Sequence, residues 1–247
     1  MANLADCVAH GIQWFHSFDL PDGESIKGYK SEAILRREAA AILPDDLTGK
    51  SVLDIGAWDG YFSFEAERRG AADVLATDHF CWSGPGWGTK DGFDFIHSRL
   101  GSKVRSFDVE PLGLTPEKFG QFDVVLFLGV LYHVTDIYRH LEAAAAMCRD
   151  HLVVETETTM INTRAPLARF IQSHEVGGGS DQFLGAQSRA GALAARAPGF
   201  FADRRHDCRQ ASCSFLVAAS RLENPPHDRS RLPLTGRVQL NSARAVM

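Results

Sequence analysis

Short apolar runs alternate with helix-period stretches through most of the chain. Ser51-Val52-Leu53-Asp54-Ile55 is a compact apolar run ending at Gly56, and residues 61–69 follow as a helical stretch stopped by Gly70, where a left-handed cap is wanted. Residues 73–77 read as a second strand, 104–107 as a third and 122–128, nearly all apolar, as a fourth. Runs this uniformly apolar suit strands covered on both faces. Asp136 is a good N-cap, and Ile137, Leu141, Ala144 and Cys148 then recur on one face of a helix running to about residue 149. Residues 151–156 form a fifth strand. Beyond them the pattern weakens to a Gly177-Gly178-Gly179-Ser180 loop, a small-residue helix over 188–197 and a last strand over 213–220. Strand–helix alternation of this kind predicts an α/β fold, a doubly wound sheet with helices on both faces.

Composition narrows the class. With 247 residues, 45% hydrophobic and 23% charged, the chain is neither disordered, collagenous nor a disulfide scaffold, and it is long enough for one large core but not for two full domains. Residues 1–48 are expected to form a cap segment, 49–220 the main domain, and 221–247, polar and Arg-rich without periodicity, a poorly ordered tail. No apolar run approaches the ~20 residues needed to cross a bilayer, the first residues lack the basic and apolar regions of a leader, and the five cysteines are scattered; the expectation is a cytoplasmic protein with reduced thiols and no membrane partner. The net charge of −5 conceals an asymmetry: residues 1–160 hold 14 Lys+Arg against 25 Asp+Glu, whereas residues 161–247 hold 12 against 6, all 12 of them arginines. That end is either a solvated surface or a contact face for an anion or RNA.

In an open α/β sheet the ligand crevice lies at the carboxyl ends of the strands, beside the first. Asp54-Ile55-Gly56-Ala57-Trp58-Asp59-Gly60 falls there, with Gly56 and Gly60 allowing a sharp, close-approaching loop. The spacing G-x-x-x-G is not the dinucleotide fingerprint, and the carboxylates of Asp54 and Asp59 would repel a pyrophosphate; they suit a ligand with positive charge, such as the ammonium and sulfonium of S-adenosylmethionine. Asp78, at the end of the second strand, has the spacing of a ribose-binding acid, and Asp108, after the third, is placed to receive an adenine amino group. Any one of these is also an ordinary turn or cap residue. Three at successive strand ends favour a cofactor site.

Val52 to Gly60, Ala76-Thr77-Asp78 and Phe122-Asp123-Val124-Val125 resemble the motif series of class I S-adenosylmethionine-dependent methyltransferases. Gly129-Val130-Leu131-Tyr132-His133, Leu152-Val153-Val154-Glu155-Thr156, Trp14-Phe15-His16 and Asp22-Gly23 further resemble bacterial relatives of the tRNA wobble-uridine carboxymethyltransferases, over about residues 12–160. The resemblance implies a Rossmann-like, seven-stranded, mostly parallel sheet. It implies that Asp54, Gly56, Asp59 and Gly60 hold the methionine part of the cofactor, Asp78 with His79 the ribose, Asp108 and Val109 the adenine, and Leu128 and Tyr132 the pocket wall, with Lys27-Gly28 as a basic–glycine turn nearby.

Methyl transfer from an activated donor rests largely on holding the acceptor in line, and a base is needed only when the acceptor must lose a proton. His133 and His16 are the candidate bases, and Tyr132 a candidate to orient the acceptor. Residues 79–101, with Phe80, Trp82 and Trp87 among several glycines, read as a movable aromatic lid or as an irregular plug that buries its tryptophans. His206, Cys208 and Cys213 lack a fourth ligand at zinc spacing, so no metal is expected. The leading expectation is a methyltransferase with a small-molecule acceptor; the alternatives are a tRNA methyl- or carboxymethyltransferase and a non-catalytic cofactor-binding module.

Overall fold

The computed structural model describes residues 11–156 apart from 87, together with the strand segments 168–170, 184–186 and 214–218. The expected loop at 177–180, the helix over 188–197, the tail over 221–247, Trp87 and the His206/Cys208/Cys213 group lie outside the described residues.

Six strands form one parallel sheet: β3 (Ser51–Ile55), β4 (Asp73–Asp78), β5 (Arg105–Asp108), β6 (Phe122–Leu128), β7 (Cys148–Glu155) and β10 (Ser214–Ala218), in the order β10-β7-β6-β3-β4-β5. The strand order reverses between β3 and β6, which sets a crevice outside their carboxyl ends. This is the expected α/β architecture, with six of the seven expected strands among the described residues. Two short pairs stand apart: β1 (Phe18–Asp19) with β2 (Ser25–Ile26), and β8 (Ala168–Phe170) with β9 (Leu184–Ala186), both antiparallel.

Alternate residues of each central strand feed two cores. Val52, Val74, Val124 and Val153 pack with Leu35, Ala39 and Ile42 of α1 (Glu32–Ile42), Phe62, Phe64 and Ala66 of α2 (Tyr61–Arg68), and Phe93, Phe95 and Ile96 of α3 (Asp91–Leu100). On the other face Leu53, Leu75, Val125, Phe127, Leu152 and Val154 meet Leu114, just before the single-turn α4 (Pro116–Phe119), and Leu141 and Ala144 of α5 (Ile137–Ala146). Asp136 caps α5 as expected, its carboxylate accepting the Arg139 N–H.

Several boundaries differ from the sequence expectation. Helix α5 stops at Ala146 because Cys148, although in helical phase with Leu141 and Ala144, is buried in β7 and pairs with Phe122. Strand β5 lies one residue later than expected. Within the segment read as a lid, residues 91–100 are helix α3, with Asp91 and Asp94 in its first turn and left-handed Gly101 at its end. Trp82 is buried, and its indole N–H donates to the Trp58 carbonyl at 2.9 Å. For Trp82 the plug is therefore the correct reading, not an aromatic face presented to an acceptor.

Candidate functional site

The carboxyl ends of the strands open on a cavity of about 680 Å³. Its floor comes from β3, β4, β6 and β7, and its roof from the N-terminal segment, residues 13–16 and 27–30. That volume is in the range of small-molecule and cofactor sites.

The loop after β3 owes its shape to two left-handed glycines and one left-handed tryptophan. Gly56 (φ +80°) donates its N–H to Thr77 O, and Gly60 (φ +86°) caps the start of α2. Between them Trp58 has φ +48°, the one positive φ among described non-glycine residues. The Asp78 carboxylate holds this backbone: Oδ2 accepts the Trp58 N–H at 3.0 Å while Oδ1 accepts the Cys81 N–H at 2.9 Å. Burial pushes the Asp78 carboxyl up from its usual range, since both bonds only partly replace lost water. Asp54, buried at the bottom, accepts a 2.6 Å hydrogen bond from Ser63 Oγ, and burial pushes its carboxyl up to about 6.

The roof is tied to the loop. Asp59 Oδ2 accepts the N–H groups of Phe15 at 2.8 Å and His16 at 2.9 Å, and burial pushes its carboxyl up to about 7. The Phe15 ring lies flat between Trp58 (centroids 4.6 Å, 8° between planes) and Tyr29 (5.8 Å, 10°). Gly28 permits the close return of the chain, because a Cβ there would stand 2.5 Å from the carbonyl carbon and oxygen of His16.

Of the residues singled out in the sequence, Asp54, Gly56, Asp78, His79, Val109, Leu128, Tyr132, His133 and His16 line this cavity, as do Lys27 and Gly28. Asp59 and Gly60 do not: the Asp59 carboxylate is spent on the roof, and the space beside Gly60 is filled by the rings of Phe64 and Phe93. Asp108 does not line it either, but clamps His79, whose Nδ1 lies 2.8 Å from Asp108 Oδ1. That contact holds the His79 imidazole above its ordinary range, while Ser83 and His79 hold the Asp108 carboxyl below its own. His133 stacks on Phe80 (centroids 6.2 Å, 21°) at one side of the cavity. The sequence did not single out Phe15, Tyr29, Trp58 or Glu155 as lining residues. Glu155 could have been found by the same strand-end rule that found Asp78, since it closes β7.

The profile of a family described as a methyltransferase domain matches residues 28–197, more than half of the chain. Among curated proteins, tRNA U34 carboxymethyltransferase of Pseudomonas paraeruginosa is 30% identical over 144 residues (53% of this chain, 40% of that protein), and that of Methylococcus capsulatus 28% over 155 residues (60% and 45%). The protein of that name in Campylobacter hominis is 35% identical over 97 residues, 39% of this chain and 32% of its own. The chain thus spans less than half the length of these relatives. Among solved structures, the N-terminal domain of EvdMO1 with SAH bound aligns with TM-score 0.59 and 16% identity over 79% of this chain and 87% of that one. The same domain with SAH and D-fucose aligns with TM-score 0.55 and 17% identity over 74% and 79%. These likenesses establish a shared fold.

Proposed function

The chain belongs to the methyltransferase-domain family, and from that membership and the cavity we propose that it transfers a methyl group from S-adenosylmethionine to a small-molecule acceptor. The observation that carries the reading is a pair of buried carboxylates, Asp54 and Asp78, at adjacent strand ends facing one cavity. Burial raises both, so a ligand with positive charge near them offsets a desolvation cost that the protein already bears. The fit is chemical. Asp54 and Gly56 hold the methionine end, Asp78 and His79 the ribose, and Val109, Leu128 and Tyr132 wall the remainder. Asp59 and Asp108 act one step removed, Asp59 through the roof and Asp108 through His79.

When bound, S-adenosylmethionine supplies an activated methyl on a sulfonium. The chain supplies enclosure: the Trp58–Phe15–Tyr29 stack and the backbone of residues 13–16 exclude water and restrict the acceptor to an approach within ~3–3.5 Å of the methyl carbon. A roof built this close to the loop suits a compact acceptor.

A second reading, methyl or carboxymethyl transfer to tRNA, is supported by the names of the curated relatives and by the arginine-only basic charge of residues 161–247. Native mass spectrometry of freshly purified protein, followed by calorimetry with S-adenosylhomocysteine, tests the cofactor. Incubation with methyl-labelled S-adenosylmethionine and either bulk tRNA or a deproteinised small-molecule extract then tests the acceptor. Label in the small-molecule fraction is expected; binding of NADH in place of S-adenosylhomocysteine defeats the cofactor reading, and label in tRNA selects the second.

A further inference from the structure

His16 has an environment unlike that of the other histidines around the cavity. Its side chain is buried, it lines the cavity, and its Nδ1 is the one buried side-chain nitrogen or oxygen among the described residues without a hydrogen-bond partner. His140 donates its Nδ1–H to the Asp136 carbonyl, His79 is clamped by Asp108, and His133 lies against Phe80. The nearest opposite charge to His16 Nδ1 is Asp59 Oδ2 at 3.8 Å, the oxygen that already receives the main-chain N–H of His16 itself. The ring is held among those of Phe15, Phe18, Tyr61 and Phe62, with centroids 5.0–6.5 Å away, while Gly28 packs against the main-chain carbonyl of His16.

We propose that His16 is the proton acceptor of the transfer, with its Nδ1–H directed at Asp59 and the lone pair of Nε2 directed into the cavity, and that Asp59 is its positioning residue. The inference rests on the methyl-transfer reading and deepens it, because it requires an acceptor whose nucleophilic oxygen or nitrogen carries a dissociable proton. In the step, the acceptor atom X forms the X–CH3 bond as the C–S bond breaks with its electron pair passing to sulfur. The X–H electron pair stays on X, and the proton passes to Nε2.

The charge balance of the step is compatible with this assignment. One positive charge disappears at sulfur and one appears on the imidazole, so the net charge of the site is unchanged by the step. The groups around the ring are Asp59 from the glycine loop, Lys30 from the facing stretch of its own segment, and Tyr61 from α2, 6.1 Å away between centroids. Burial, with Lys30 adding to it, lowers the imidazole to about 3, which keeps it neutral before the step and makes the imidazolium a transient that passes its proton on. The tautomer follows from pairing: Asp59 Oδ2 accepts two main-chain N–H groups, so a proton on this carboxyl sits on Oδ1, and Oδ2 faces an Nδ1–H favourably but would repel an Nδ1 lone pair.

The test is long-range ¹H–¹⁵N spectroscopy of the full chain labelled at histidine, with and without S-adenosylhomocysteine. The His16 resonances are those missing in His16→Gln, or, if that variant does not fold, those moved most in Asp59→Asn. The expected spectrum has the proton on Nδ1, an unprotonated Nε2 that shifts on ligand addition, and no titration between about pH 5 and 8. A proton on Nε2, an imidazolium at neutral pH, or an Nε2 signal indifferent to bound ligand overturns the proposal. Calorimetry on the same sample separates the two readings: ligand binding with the wrong tautomer defeats only the role of His16, and absence of binding defeats the cofactor reading beneath it.

Discussion

A carboxylate that leaves water needs donors, and Asp59 takes both of its donors from the N-terminal segment. Its titration has a defined sign. The folded carboxyl holds its proton to about 7 while the unfolded one releases it near 3.8, so this group's contribution to stability is complete below about pH 4 and is lost as pH rises to about 7. His16 has the opposite slope: its folded value of about 3 lies below 6.5, so stability from this group is present above 6.5 and is lost as pH falls. The His16 contribution cancels when Asp59→Asn is compared with the wild type, since both keep the imidazole buried. The unfolding free energy of wild type minus that of Asp59→Asn is therefore expected to fall between about pH 4 and 7 and to level off above, as read from urea midpoints across that range. A flat difference would mean that Asp59 is not desolvated. At Asp78 the expected loss is in binding: removing the carboxylate takes away the proposed ribose acceptor and frees the left-handed Trp58 backbone that it holds. Asp78→Ala is expected to weaken S-adenosylhomocysteine binding by about 1.5–3 kcal/mol, the worth of charge-assisted hydrogen bonds, measured by calorimetry.

The strands were legible because both of their faces are apolar, and no competing helical period fits runs such as Phe122–Leu128. Helix α3 was not, because Gly92-Phe93-Asp94-Phe95 alternates like a strand. The tertiary reason for its helicity is that Phe93 and Ile96 both enter the core beside Phe64. The cavity-facing acids were legible from the rule that ligands bind at strand ends, and Asp54 and Asp78 follow it. The rule failed for Asp59, because its partners lie 43 and 44 residues earlier in the chain, a distance over which sequence spacing carries no information. The same non-local closure makes Gly28 a sensitive position. Its φ is not in the left-handed region, so the demand for glycine comes from the approach of the Phe15 and His16 backbone. Gly28→Ala is expected to cost about 1–3 kcal/mol of stability by overpacking, and to weaken ligand binding by lifting the roof. Equal denaturation midpoints for variant and wild type would show that residues 14–17 and 28–30 do not pack as described.

For the whole molecule the open question is what the acceptor is, and charge provides the means to decide it. The first 160 residues carry a net −11 from 14 basic and 25 acidic side chains, and the remaining 87 carry +6 from 12 and 6. No described helix is long and apolar enough to cross a membrane, so the basic end does not accompany a helical membrane span among those residues. If tRNA is the acceptor, arginines of the basic end neutralise phosphates. Each neutralised phosphate then contributes about −0.7 to −0.9 to the slope of log affinity against log salt, so several contacts remove orders of magnitude of affinity between about 50 and 200 mM salt. If a compact acceptor enters beneath the roof, its binding depends weakly on salt and strongly on the Phe15, Tyr29 and Trp58 rings that enclose it. Trp82 does not belong to that set, because it is buried against Trp58 and its removal acts through the fold. The expected outcome is that Phe15→Ala and Tyr29→Ala depress label transfer into the small-molecule fraction, while the pair Arg204→Ala with Arg205→Ala leaves it within about twofold. The physical basis is that a compact acceptor carries no array of phosphates for those arginines to neutralise. Filter binding of bulk tRNA at micromolar or tighter affinity in 150 mM salt, abolished by the arginine pair and spared by the aromatic changes, would reverse the order of the two readings.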